Sequence, residues 1–374
     1  MAKLKDNVDK SKTSGGADKK TAGKGKKTSP EKTPAEKTEI SSIKKLNPVA
    51  LILAGYDKPD AKTRRQKQKE LEEAYDGDVI YMGKNKFLYD LGGQPVIKYV
   101  LDAVFNARKG GRRIYETIYL YNNIKDMQAA IDLKAYPNLV LKQMTKSVGG
   151  HWRDFYFNHL EYGQRVDVFF GDTPRITSGD VEWIHGEYNK ILNTKRDHRG
   201  VLINKIFSVV DYADMEDNWL PHRIKFIKVG KNRGKLRSFV GFEDCESRVG
   251  NSCGIYKHPG IDKIAEYEVL SLMYNMRKAL TPNIFSRILF YLWKTKNFSV
   301  VRQIKNHCLR EEDMLSALID VVSNVFKISM DEYAGAVFHI RKNASRWEND
   351  IDGPKDLEAF RKKYEEMGFP SRKN

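Results

Sequence analysis

Asn47-Pro48-Val49-Ala50-Leu51-Ile52-Leu53-Ala54-Gly55 is the stretch whose reading decides the fold. From Pro48 to Ala54 the run is continuously apolar, with no polar residue at alternate positions, and a glycine ends it. A strand wetted on one face would alternate; an unbroken run marks a strand covered on both faces, and such strands belong to parallel sheets. Working outward, shorter runs of the same kind follow at Thr117 to Tyr121 (TIYLY), Leu139 to Lys142 (LVLK) and Val166 to Phe170 (VDVFF). Segments of helical periodicity separate them. One helix is predicted from Val96 to Ala107, with Val96, Ile97, Val100, Leu101 and Val104 on its apolar face and Pro95 in its first turn. Strand, helix, strand in repeated order predicts an α/β fold, a mostly parallel sheet flanked by helices.

The middle of the chain has another texture. Gly200 to Val210, Arg223 to Val229 and Leu236 to Phe242 read as short strands, and the turn signal Lys231-Asn-Arg-Gly234 between the last two predicts a β-hairpin insertion within residues 200–260. Residues 262–325 read as an appended helical block. Ala336 to Ile340 (AVFHI) is a returning strand, Lys355 to Met367 a charged helix, and residues 363–374 a polar C-terminal tail. The main domain is expected to span residues 46–362.

The 374 residues carry a net charge of +17, unevenly spread. Residues 1–45 hold 13 Lys, no Arg and 6 acids, with no Phe, Trp or Tyr. Such a segment has too little apolar surface to offset the entropy of ordering, so a disordered basic tail is expected. It is either a polycation for an anionic partner (nucleic acid, acidic lipid or acidic protein) or a solvated extension. Three cysteines, Cys245, Cys253 and Cys308, without CxxC or zinc spacing, exclude a disulfide scaffold and point to a reducing compartment. No apolar run approaches the roughly 20 residues of a transmembrane helix, and MAKLKDNVDK lacks a secretory apolar stretch. A cytoplasmic protein is expected. The eight histidines show no HxH or HExxH pairing, and no Gly-x-Ser-x-Gly element suggests covalent catalysis.

Ligands of open parallel sheets gather at the carboxyl ends of the strands. Four segments qualify. Leu53-Ala54-Gly55 ends the first strand, and Lys62, Arg64 and Arg65 follow in a charged loop able to neutralise phosphate. Lys86 precedes Leu91-Gly-Gly-Gln-Pro95, where the helix from Val96 starts. Gly171-Asp172-Thr173-Pro174 ends the strand Val166 to Phe170 and delivers Asp172 to the ligand edge, where a carboxylate suits Mg²⁺. Asp172 does not serve as a helix cap, because Thr177 or Ser178 is better placed for that task. Finally, Asp350 and Asp352, at i and i+2, project to one side if extended.

Together these segments resemble the GT-A-like nucleotidyltransferases, and more narrowly the MobA-like NTP transferase family. The resemblance rests on Leu53-Ala-Gly55, Lys86 with Leu91-Gly-Gly-Gln-Pro95, Gly171-Asp-Thr-Pro174 and Asp350-Ile-Asp-Gly-Pro-Lys-Asp-Leu357, in that order over residues 48–362. It implies a Rossmann-like GT-A sheet and transfer of a nucleoside monophosphate from an NTP to a small-molecule or lipid-like acceptor, with Mg²⁺ bridging the phosphates. It assigns Leu53, Ala54, Gly55 and Gly171 to the nucleotide; Lys62, Arg64 or Arg65 would supply the positive charge that the altered first loop lacks. Lys86 is then the phosphate-holding lysine, Asp172 the metal aspartate and Asp350 or Asp352 the second carboxylate. Gly250 and Asn251, in Arg248-Val-Gly-Asn-Ser252, fall near the acceptor. The chain departs from the family where Gly-x-Gly-x-Arg is replaced by one glycine and the long charged insertion Tyr56 to Asn85. A nucleotide-sugar glycosyltransferase, or a silent module binding nucleotide or nucleic acid, would use the same fold.

Two aromatic stretches admit two readings each. Trp152, Phe155, Tyr156 and Phe157 either stack on a nucleobase or form the core face of a helix. Pro282 to Lys294, rich in aromatics and flanked by Arg287 and Lys296, is a core-packing helix, a membrane-surface helix or a groove for a lipid-like acceptor.

Overall fold

The computed structural model describes residues 46–55, 85–145, 148–199, 205–211, 224–226, 237–241, 246–257, 264, 267, 289–306, 308–326, 336–341, 349–351 and 354–368. The basic tail, the turn at 231–234, Lys62, Arg64, Arg65 and Asp352 lie outside them.

The apolar run from Val49 is β1 (Val49–Leu53), and every one of its residues is buried. Its side chains divide between two cores. Ala50, Ile52 and Ala54 enter one cluster, while Val49, Leu51 and Leu53 enter another on the opposite face. Both edges are paired in parallel, with β6 (Ile118–Asn122) on one side and β8 (Arg165–Phe170) on the other. β7 (Leu139–Gln143) extends the parallel set beyond β6. Two short hairpins, β2–β3 (Asp90–Leu91 with Gln94–Pro95) and β4–β5 (Arg108–Lys109 with Arg112–Arg113), stand apart from this sheet.

Helices cover both faces. On the Ala50 face lie α1 (Val96–Asn106), α2 (Ile124–Ala130) and α4 (Ser178–Arg199), through Ile97, Val100, Leu101, Met127, Val181 and Ile184. On the Leu51 face lies α3 (Val148–Asn158), whose Trp152, Phe155 and Tyr156 are buried in the core, so this aromatic stretch is a packing face. Pro95 is the residue before α1 and not inside its first turn. Thr177 and Asp180 cap α4 reciprocally: Thr177 N donates to Asp180 Oδ2 at 2.9 Å, and Asp180 N to Thr177 Oγ1 at 3.3 Å. Asp172 is thereby released from that task.

Beyond β8 one strand runs against all of its neighbours. β12 (Glu246–Tyr256) runs antiparallel to β8, with Ser252 opposite Phe169. Its other edge holds β9 (Lys205–Asp211), and β13 (Ala336–Arg341) lies parallel to β9. Among the described residues the result is a nine-stranded mixed sheet, mostly parallel, flanked by helices.

The hairpin falls one strand later than the sequence reading placed it. β10 (Ile224–Phe226) and β11 (Arg237–Gly241) pair in parallel, whereas β11 and β12 pair antiparallel. Residues 227–236 link the first pair, close to the roughly dozen a parallel return needs, while only residues 242–245 link the second. In the helical block, α5 (Phe298–Asn306) and α6 (Glu311–Phe326) share a small core of Leu292, Val300, Leu309 and Ala317. α7 (Pro354–Glu366) packs Leu357, Phe360 and Tyr364 with Ile351 against Leu91 and Val96. Among the described residues, no helix is long and apolar enough to cross a membrane.

A buried polar cluster sits within the Ala50 face. Asp167 accepts from Tyr115 Oη at 2.7 Å and pairs with Arg165 Nε at 2.9 Å, and His185 Nδ1 lies 3.2 Å from its Oδ2. Burial alone would raise the Asp167 carboxyl, but Arg165, His185 and Tyr115 outweigh it and hold the group below the usual carboxylate range. Burial, partly opposed by Asp167, holds His185 below its ordinary 6.5. The folded state therefore resists protonating His185, and stability falls as pH drops below 6.5. The depressed Asp167 contributes stability above the ordinary carboxylate value, which is lost as pH falls below 3.8. Urea midpoints should thus decline between about pH 7 and pH 5, and the decline should be smaller in His185→Gln. Asp167→Asn, which leaves Arg165 buried without its counter-charge, should cost about 3–5 kcal/mol at neutral pH.

Candidate active site

Chain order places the site. From β1 the chain moves outward through β6 to β7, then returns to the other side of β1 as β8. The reversal leaves a crevice at the carboxyl ends of β1 and β8, the place where open sheets of this type take ligands. Ala54-Gly55 and Gly171-Asp172 follow those two ends.

Both glycines are required by contact. Gly171 N donates to Leu53 O at 3.0 Å. A Cβ on Gly171 would stand 2.7 Å from Ile97 Cδ1, 2.8 Å from Ala54 Cβ and 3.2 Å from Phe87 Cδ1. The Phe87 ring, 2 % exposed, can close on this strand end only because residue 171 has no side chain. Phe87 belongs to the single 3₁₀ turn Lys86–Leu88, so its burial sets the position of Lys86. On the other side of Lys86, Asn85 Nδ2 donates to Asn122 Oδ1 at 2.8 Å. Asn122, fully buried at the end of β6, also donates to Ala54 O at 2.9 Å. The lysine is thus gripped from both neighbours. Downstream, the β2–β3 hairpin turns on Gly92 and Gly93, both with positive φ (60° and 83°), the pair of left-handed residues that a two-residue hairpin turn demands.

So held, Lys86 Nζ donates to Asp172 Oδ2 at 2.6 Å and to Ile351 O at 2.9 Å. Ile351 N donates in turn to Asp172 O at 2.8 Å. The side chains of Lys86 and Asp172 are 21 % and 15 % exposed, so the pair is sheltered but reachable. Three of the four segments singled out in the sequence therefore meet through hydrogen bonds: the lysine segment, the Gly-Asp-x-Pro strand end and the Asp350-Ile351 segment. The fourth, Leu53-Ala54-Gly55, adjoins them through the Leu53 and Ala54 contacts. Asp350 is half-buried beside Ile351. β12 runs antiparallel to β8, so its register continued past Ser252 brings Asn251 and Gly250 toward the same edge, and Asn251 is buried.

Two residues of the site were not anticipated. Asn122 directly follows the apolar run Thr117 to Tyr121, and applying the strand-end rule to that strand would have found it. His151 has no such signal. Its ring, on α3, stacks on Tyr121 and fills the space over Gly55, where an added Cβ would fall 1.8 Å from His151 Cε1. Tyr121 donates to Asp154 Oδ2 at 2.6 Å, which steadies that wall.

The arrangement can present one cation and at least one carboxylate to a polyphosphate at a strand edge. Among the described residues, no three of His, Cys, Asp and Glu gather as a metal cage. Magnesium fits so sparse a set, since it takes one or two carboxylates and fills its shell with phosphate oxygens and water.

No family model and no curated protein matches the chain. Solved structures do. A hypothetical transferase structure from Thermus thermophilus is 15 % identical with a TM-score of 0.48, covering 83 % of this chain and 100 % of that one. A 4-diphosphocytidyl-2C-methyl-D-erythritol synthase from Anaerococcus prevotii is 11 % identical with a TM-score of 0.40, covering 85 % and 95 %. A CMP:2-keto-3-deoxy-manno-octonic acid synthetase complexed with CTP is 10 % identical with a TM-score of 0.38, covering 86 % and 98 %.

Gly55→Ala should force the His151 ring out of the core and lower stability. In a His151→Ala background the same substitution should cost at least about 1 kcal/mol less, a coupling that a double-mutant cycle of urea midpoints reads directly. Equal costs in the two backgrounds would mean that the ring does not occupy that space in solution.

Proposed function

We propose that the chain is a nucleotidyltransferase: it moves a nucleoside monophosphate from an NTP to a phosphorylated or hydroxyl acceptor and releases pyrophosphate. The observation that carries the reading is the meeting of Lys86, Asp172 and the Ile351 backbone at the crevice between β1 and β8. The resemblance of the four segments to the MobA-like family supports it.

In this reaction an acceptor oxygen forms a bond to the α-phosphorus while the bond to the pyrophosphate oxygen breaks. The protein needs no nucleophile of its own, because such transfers depend on positioning and charge neutralisation. Lys86 supplies fixed positive charge for the triphosphate, and its rigid seating between Asn85 and Phe87 lowers the cost of orienting it. Asp172, with Asp350 or Asp352, would hold Mg²⁺, whose chemistry is to neutralise phosphate charge as pyrophosphate departs. Leu53, Ala54 and Gly55 line the nucleotide side, and Gly250 and Asn251 the acceptor side. Within the charged insertion, Lys62 and Arg64 are the cations assigned to the nucleotide.

The test is thermal shift of the full chain with CTP, GTP, ATP and UTP in turn, with and without Mg²⁺. A ligand present at 100 times its Kd stabilises the native state by about 2.7 kcal/mol, enough to move Tm by a few degrees. One NTP should shift the wild type in a Mg²⁺-dependent way, and Asp172→Ala should abolish that shift while remaining folded. Pyrophosphate release then identifies the acceptor. A chain indifferent to all four nucleotides, or a shift indifferent to Asp172, would exclude this function.

A further inference from the structure

The helical block carries a surface that the transferase reading does not use. Phe290, Trp293 and Phe298 are 51 %, 59 % and 50 % exposed, within nine residues of one another. They stand around a tight turn. Residues 289–294 are helical, α5 begins at Phe298, and the inner side chains Leu292 and Val300 are buried in the small core. The turn between is well fixed. Asn297 N donates to Leu292 O at 2.9 Å and Lys296 N to Trp293 O at 3.1 Å, the paired bonds of a Schellman helix end. Asn297 Nδ2 ties the turn to Asp320 of α6 at 2.9 Å.

The residue at the left-handed position of this motif is Lys296, with φ 61°, where glycine is the unstrained choice. It is the one non-glycine residue with positive φ among the described residues. A strained cation thus stands between two exposed aromatic side chains. Lys294, Lys296, Arg302 and Lys305 are all exposed. The sequence around them is one-sided: residues 269–310 contain eight Lys and Arg and no Asp or Glu. Of the acids that follow, Asp313 is engaged by Arg310 at 2.8 Å and Gln303 at 2.6 Å.

We propose that this aromatic and basic surface docks the protein on an anionic lipid bilayer. Large rings bury their apolar faces at the headgroup boundary, tryptophan favours that depth, and lysines beside them reach the lipid phosphates. Two other occupants fit less well. Phe290 and Trp293 lie against each other, with centroids 6.0 Å apart and planes at 37°, which makes a wedge and not the open ring faces on which nucleic-acid bases stack. A second copy would set the same lysines against one another across a two-fold interface.

Co-sedimentation of the full chain with phosphatidylserine-containing and pure phosphatidylcholine vesicles tests the proposal. The wild type should bind the anionic vesicles, and Trp293→Ala/Phe298→Ala should bind them about tenfold more weakly. Lys296→Gly separates docking from folding, since it should keep or raise Tm by relieving the left-handed strain and still weaken vesicle binding. All variants retain residues 1–45, so any contribution of that segment is common to them. Absence of binding, or equal binding by wild type and the double variant, overturns the proposal. So do single-stranded RNA binding that depends on the same rings, and a dimer of the wild type that the double variant loses. The nucleotide-dependent thermal shift should be unchanged in these variants, so this surface and the transferase reading stand or fall separately.

Discussion

Every feature of this chain that bears on chemistry depends on the parallel pairing of β1 with strands on both of its edges. A strand with both faces and both edges covered has no contact with water, so its backbone groups must be satisfied within the sheet. β1 meets that demand with β6 and β8, and its side chains feed two separate cores in strict alternation. The strand that the chain leaves on one side and returns to on the other creates the crevice. Its last two residues and those of β8 are thereby brought together without either needing a long loop.

Close packing then does the positioning. The absence of a side chain at Gly171 admits Phe87, Phe87 fixes the turn that carries Lys86, and Lys86 reaches Asp172. Asn122 joins the same assembly from the neighbouring strand through Ala54 and Asn85. A sheltered lysine and carboxylate in contact gain little net stability, because the loss of hydration largely cancels their attraction. Their proximity is instead enforced by the apolar contacts around them.

The parts of this architecture that were legible in the sequence are those governed by local rules. An unbroken apolar run announces a doubly buried strand, and Gly55 and Asp172 follow directly after such runs. Lys86 and Asp350 take their roles from the family resemblance, and the structure brings Lys86, Asp172 and Ile351 into contact. β12 was not legible because Gly250, Asn251, Ser252 and Gly254 interrupt it with residues of poor strand propensity. Its pairing with β8 overrides that preference, and Gly254 is needed there because the Tyr188 ring lies 2.6 Å from where its Cβ would be. The parallel relation of β10 and β11 was hidden for a different reason: strand direction is set by partners distant in sequence and not by the turn residues between two strands. His151 was out of reach altogether, since nothing local to a helix reports which strand end it will cover.

Lys86 and Ile351 are 265 positions apart, and the hydrogen bond between them joins the early sheet to the segment before α7. A chain being synthesised from its N-terminus can pair β1, β6, β7 and β8 long before Ile351 emerges. Lys86 and Asp172 would meet at that stage without the backbone that completes their contact. The site therefore depends on a late segment: a chain interrupted before Ile351 keeps the paired strands β1, β6, β7 and β8 yet lacks the peptide group that bridges its charged pair.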